Sequence, residues 1–164
     1  MKKLLAIPAL AALISGCGIV EVRAVPPTIT KLETQTTFCT DRDTLLDFQF
    51  EASGLISKLE VWVSEPGVSD PSTDANNKVG ELDTFDLFSK GSKVVGFIAL
   101  DTNGDNKIER NGQNRPAIVV TPTAKQVWVR AYNFDQTKGF VKAMNIMAPS
   151  TDTNCAPISP YGQP

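Results

Sequence analysis

A chain of 164 residues with 41% hydrophobic content builds one modest globular domain, and its 16 Lys and Arg against 18 Asp and Glu leave it close to neutral. It contains no histidine, which excludes imidazole general-base catalysis, Ser/His/Asp and Cys/His nucleophile activation, and histidine-ligated zinc, copper or haem. There is no basic block, so nucleic acid, whose phosphates need clustered Lys and Arg, is not an expected partner.

The chain opens as an address. Lys2 and Lys3 form a short positive region, Leu4 to Ile14 is an apolar run broken only by Pro8, and Ser15-Gly16 supplies small residues before a cleavage point. The run is too short to span a bilayer as a mature helix, which takes about 20 residues. Leu13-Ile14-Ser15-Gly16-Cys17 resembles the lipobox of bacterial lipoproteins. The resemblance implies that residues 1–16 are removed, that the Cys17 thiol carries a diacylglycerol and its amine an acyl chain, and that the protein is a lipid-anchored component of the cell envelope. In that family an aspartate after the cysteine retains the protein at the inner membrane. Gly18 stands there, which implies the outer membrane. The alternative is an ordinary cleaved signal with Cys17 incidental.

Removing the leader leaves 148 residues, 164 less 16, and two further thiols, Cys39 and Cys155. In an oxidising compartment these are expected to pair, closing a loop over nearly the whole domain; two buried free cysteines are the alternative. Residues 17–27 read as a short tether stiffened by Pro26-Pro27, residues 28–148 as the folded domain, and 149–164 as a tail.

Within the domain the dominant pattern has period two. A first strand is expected around Thr28 to Leu32. In Leu46 to Ala52, Leu46, Phe48, Phe50 and Ala52 fall on one face, and Leu59 to Ser64 repeats the alternation. Lys93 to Leu100 is more continuously apolar, Ala117 to Thr121 is a short β-branched run, Gln126 to Phe134 alternates again, and Phe140 to Met147 reads as the last strand. These runs make about seven strands with no amphipathic helix, the arithmetic of an all-β sandwich.

Val127-Trp128-Val129-Arg130-Ala131-Tyr132-Asn133, the polar turn through Gly139, and Phe140-Val141 resemble the penultimate strand, turn and final strand of bacterial immunoglobulin-like and fibronectin type III modules. The Pro26-Pro27-Thr28 opening is similar to the start of such modules. The resemblance implies a single immunoglobulin-like β-sandwich. Cys39 and Cys155 lie outside the expected core strands, unlike the inter-sheet pair of antibody domains.

Two stretches interrupt this pattern. Residues 65–92 form a long Asp-, Ser-, Pro- and Asn-rich inserted loop with an apolar cluster, Leu82, Phe85, Leu87 and Phe88. It is expected either to add a strand or to pack back on the sandwich, with a loose surface insertion as the alternative. The second, Asp101-Thr102-Asn103-Gly104-Asp105-Asn106-Lys107-Ile108-Glu109, resembles the first nine positions of an EF-hand or dockerin calcium loop. The resemblance implies a Ca²⁺ site using Asp101, Asn103, Asp105, the Lys107 carbonyl and Glu109. Position six is Asn106 rather than glycine, and Gly112 replaces the bidentate glutamate of position twelve. A polar hairpin turn explains the same residues.

Strand parity gives a last candidate. With Val127, Val129 and Ala131 inward, Trp128, Arg130 and Tyr132 face outward, as does Trp62 on its own strand, and the immunoglobulin-like resemblance implies that the two strands are neighbours. These residues are either a docking face for protein or glycan, or a cross-strand aromatic cluster packed beneath the 65–92 insertion. No carboxylates are seen to converge on a catalytic arrangement, so an enzyme is not expected. The sequence thus points to a lipid-anchored, non-catalytic accessory or structural subunit of an envelope assembly that binds a protein partner. The alternative is a calcium-assisted adhesive or carbohydrate-binding module.

Overall fold

The computed structural model describes residues 25–105, 120–134, 136–153 and 155. The leader with Cys17, the Lys107 and Glu109 end of the acidic loop, most of the expected Ala117 to Thr121 strand and the last nine residues lie outside the described residues.

The described residues contain ten strands: β1 (Thr28–Thr34), β2 (Thr37–Cys39), β3 (Thr44–Ser53), β4 (Lys58–Ser64), β5 (Lys78–Asp83), β6 (Phe88–Lys90), β7 (Lys93–Leu100), β8 (Lys125–Asn133), β9 (Gln136–Thr137) and β10 (Val141–Ser150). One sheet has the order β1-β3-β7-β6, the other β2-β10-β8-β4-β5, with the short β9 paired to β8. All pairings are antiparallel except β2 with β10. A first strand on one sheet, followed by a short segment that crosses to run parallel with the last strand of the other, is an immunoglobulin-like sandwich arrangement. The chain is therefore an immunoglobulin-like β-sandwich.

The sheets close on one core because their inward positions are apolar at period two. Leu46, Phe48 and Phe50 of β3 meet Leu59, Val61 and Val63 of β4 and Val127, Val129 and Ala131 of β8, all buried. Gly96 on β7 makes room for the Phe48 ring: a Cβ there would lie 2.5 Å from Phe48 Cζ. In β1 the backbone breaks its ladder between Thr30 and Glu33, and Lys31 takes a positive φ of 52° at that point. This bulge turns the chain toward the second sheet.

The expectation of about seven strands is low. Three of the additional strands, β2, β6 and β9, have two or three residues, too few for alternation to register in the sequence. The fourth, β5, lies inside the 65–92 insertion, which thus adds strands and packs back. Its apolar cluster divides: Leu82 enters the core, Leu87 packs against it, and Phe85 and Phe88 stay exposed. The last strand continues to Ser150, past the expected boundary at 148, because Ala148, Pro149 and Ser150 pair with Thr37, Phe38 and Cys39.

Candidate functional site

The outer face of the β2-β10-β8-β4-β5 sheet carries the aromatic set. Trp62 on β4 sits directly opposite Trp128 on β8, and Glu60 opposite Arg130. Both indoles are covered, with Trp62 6% and Trp128 7% exposed. Phe140 stands edge-on to both rings, at 5.4 Å from Trp62 and 6.4 Å from Trp128, a favoured aromatic geometry. The Arg130 guanidinium lies 4.4 Å from the Phe140 ring centre, and Lys142 Nζ 5.3 Å from that of Trp128. Trp128 Nε1 donates to Ser64 Oγ at 2.8 Å, whereas Trp62 Nε1 has no hydrogen-bond partner among the described residues. A short 3₁₀ turn, Pro71–Thr73, lies against β4 with Pro71 buried. The rings therefore pack against one another, and Phe140, Arg130 and Tyr132 keep a half-buried edge toward solvent.

Below the indoles lies a buried carboxylate. Glu60 Oε2 accepts from Arg130 Nε at 2.9 Å and from the Tyr132 hydroxyl at 2.6 Å, and Oε1 accepts from Lys78 Nζ at 3.0 Å. Burial pushes the Glu60 carboxyl up, but the hydrogen bonds from Tyr132, Lys78 and Arg130, with the Arg130 charge, outweigh it and lower it to about 2. Burial and the bond to Glu60 raise the Tyr132 phenol above its usual range. A carboxylate held so far down is ionised at neutral pH, and here it pairs with the Lys78 and Arg130 cations.

Next to this sealed patch, β10 opens the sheet surface. Lys142 pairs with Trp128 and Ile146 with Gln126, so β10 carries extra residues between two rungs where β8 carries one, Val127. The Gln126 side-chain amide fills the gap by donating to the Ala143 carbonyl. The bulge turns Met144, Asn145 and Ile146 outward between buried Ala143 and Met147. Met144 is 90% and Ile146 46% exposed. The sequence reading missed these two residues; two extra residues relative to strict alternation in this run are the only signal it offered.

At the end of the sandwich where β7 stops, the acidic loop begins. Asp101 is buried and its Oδ1 accepts from Gly104 N–H at 2.7 Å, while Asn103 Oδ1 accepts from Asp105 N–H at 3.0 Å. Gly104 takes a φ of 80°, open to glycine without strain. Asp43, before β3, brings a third carboxylate, and oxygens of Asp43, Asp101 and Asp105 lie within 4.8 Å of one another. Three such oxygens suit a hard divalent cation. No spacing rule could have found Asp43, which lies 58 residues before Asp101 in the sequence.

Close by, a cleft of about 240 Å³ is lined by Ser64, Glu65, Asn76, Asn77, Thr121 and Lys125 among others. The buried Lys125 ammonium donates to Glu65, to Thr121 Oγ1 at 2.7 Å and to Thr123 Oγ1 at 2.8 Å. The bond from Lys125 holds the Glu65 carboxyl below its usual range. All three donors of the ammonium are thereby used, and Asp74 adds a second carboxylate to the lining.

Cys39 and Cys155 form a disulfide with Cα atoms 5.2 Å apart. Thr37 Oγ1 donates to the Cys155 carbonyl at 2.9 Å, and Arg42 Nη2 to the Asp152 carbonyl at 3.0 Å. The tail is thus fastened to β2 and the loop that follows it. No helix among the described residues is long and apolar enough to cross a membrane.

No protein-family model matches the chain, and no curated protein matches it. Among solved structures, a chimeric titin Z1Z2 functionalized with an exogenous decorin peptide is similar at 12% identity and a TM-score of 0.32, over 77% of this chain and 98% of that one. A marsupial T cell receptor is similar at 10% identity and a TM-score of 0.39, over 77% of this chain and 55% of that one. A β-glucosidase from Listeria innocua in complex with glucose is similar at 9% identity and a TM-score of 0.31, over 74% of this chain and 16% of that one.

Proposed function

We propose that this chain is an exported protein held by lipid at Cys17 on a cell-envelope membrane, the outer membrane by the rule that Gly18 implies, and that it works as a non-catalytic docking module for an envelope protein. The observation that carries the docking reading is the β10 bulge. On a sheet face where the aromatic rings are sealed, it sets Met144 and Ile146 in solvent. Exposed Met beside a cationic residue, Lys142, is an adaptable contact surface for a protein partner. The disulfide fits export, since such bonds persist in oxidising compartments. The absence of histidine from the sequence and the pinning of Glu60 as an anion support a non-catalytic role.

The test is affinity purification of the tagged protein from gently solubilised native membranes, with wild type and Met144→Asp/Ile146→Asp compared. A stoichiometric envelope protein that travels with the wild type and is lost from the double variant, at unchanged melting temperature, is the expected result. A partner-free wild type refutes the reading.

A second reading, a calcium-assisted adhesive or carbohydrate-binding module, is favoured by one observation: the juxtaposition of Asp43 with Asp101 and Asp105. Asp43 would supply an acid that the loop lacks at its twelfth position. The site would hold Ca²⁺ through carboxylates from two segments, fixing the β2–β3 connection to the end of β7.

A further inference from the structure

The exposed apolar side chains are unevenly placed. Val25 is 76%, Leu55 71%, Phe85 90% and Phe134 69% exposed, and all four lie at one end of the sandwich. The pairings fix this: Thr28 of β1 is opposite Ser53 of β3, and Lys58 of β4 is opposite both Tyr132 of β8 and Asp83 of β5. The segment before β1, the β3–β4 loop, the β5–β6 turn and the β8–β9 turn therefore share that end. At the other end stand Glu65, Asp101, Asp105 and Asp152, with no exposed large hydrophobic residue among those described; Phe88, Met144 and Ile146 lie on strands.

The tip is built, not incidental. The Val25 carbonyl accepts from Asn133 Nδ2 at 3.4 Å, and a Cβ on Gly54 would lie 3.7 Å from the same oxygen. Ser57 N–H donates to the Tyr132 carbonyl at 2.8 Å, and Asp83 Oδ1 accepts from Phe85 N–H at 2.7 Å. Phe134 holds a φ of 43°, a left-handed conformation that glycine or asparagine takes at less cost. An exposed aromatic ring kept at such a position is strained and unused by the fold, which points to use outside it.

The chain that precedes Val25 supplies the occupant. From Cys17 to Val25 is eight residues, which reach at most about 26 to 29 Å. The ten-residue strands β3 and β10 run about 33 Å, so this tether is shorter than the domain's long axis and delivers the N-terminal end to the bilayer.

We propose that the Val25, Leu55, Phe85 and Phe134 tip enters the lipid interface. The anchored domain then stands upright, with β10 and the acidic end directed away from the membrane. Apolar side chains on loop tips partition into the boundary between headgroups and acyl chains, where an adjacent acyl anchor raises their local concentration. The proposal rests on the lipid-anchor reading above.

The test uses the full acylated chain in phosphatidylethanolamine/phosphatidylglycerol vesicles containing brominated acyl chains, with F134W, L55W and M144W compared against wild type, whose buried Trp62 and Trp128 set the background. Quenching of F134W and L55W emission at least about two-fold stronger than that of M144W is expected. Equal quenching in protein shown by intact mass to be acylated and vesicle-bound overturns the upright orientation while leaving the anchor in place. A chain found without acyl groups overturns the anchor and this proposal with it. F134W emission that shifts to the blue without responding to bromine places another protein chain on the tip and overturns lipid contact.

Discussion

Glu60 and Arg130 stand opposite each other on β4 and β8, with Arg130 Nη2 2.8 Å from Glu60 Oε2. Because the Glu60 carboxyl is lowered to about 2 from an ordinary 4.5, its contribution to stability is fully present above about pH 4.5. It is lost as the pH falls from there toward 2. The difference corresponds to about 3 kcal/mol. Asp47, which burial raises, acts in the opposite direction, so the measurement is made against Glu60→Gln, in which Asp47 is unchanged. Denaturant titrations between pH 6 and 2 are expected to show a steeper acid loss for wild type than for E60Q. At pH 7 the variant is expected to be less stable by about 3 kcal/mol or more, since Arg130 is left without its buried counter-charge.

Gly96 is held small by the Phe48 ring. A Cβ at 96 would meet Phe48 Cζ at 2.5 Å and Leu82 Cδ1 at 3.1 Å, and Phe48 is itself locked in the core. Gly96→Ala is expected to destabilise by about 1 to 3 kcal/mol through overpacking. Adding Phe48→Leu is expected to recover part of that loss, a coupling that a double-mutant cycle measures directly.

The Cys39–Cys155 bond joins residues 116 apart. In the chain-entropy account a loop of that length contributes about 4 to 5 kcal/mol. Cys39→Ser/Cys155→Ser is expected to melt well below wild type while keeping its far-ultraviolet dichroism at room temperature, because the two core sheets do not depend on the tail. Reductant is expected to lower wild type to the level of the double variant and leave that variant unmoved.

The calcium reading predicts a rise in melting temperature between chelator and millimolar Ca²⁺. It also predicts that Asp43→Asn removes the rise, although residue 43 lies outside the loop that resembles a calcium site. An unchanged melting temperature for wild type ends that reading.

Much of this architecture is legible in the sequence because its long strands bury one face. Leu46, Phe48 and Phe50, or Val127, Val129 and Ala131, announce both strand and orientation, and parity with the immunoglobulin-like strand order places Trp62 beside Trp128. What stays hidden depends on contacts between distant segments. The three residues of β2 become a strand only because β10 runs past them, and Asp43 joins Asp101 only through the meeting of β3 with β7. Parity also says which way a side chain leaves the sheet, and not what lies over it: Phe140 stands edge-on to both indoles, and the Pro71–Thr73 turn lies against β4. The β10 bulge shows the same limit from the other side, since it exposes consecutive residues where alternation would bury one.

The central claim, that β10 is the working surface of an envelope docking module, is tested most directly by photo-crosslinking in the native membrane. A photoreactive residue is placed at Met144, and in parallel at Phe97 on the opposite sheet. A discrete protein adduct from position 144 and none from position 97 is the result this account predicts. No adduct at 144, or the same adduct from both positions, would contradict it.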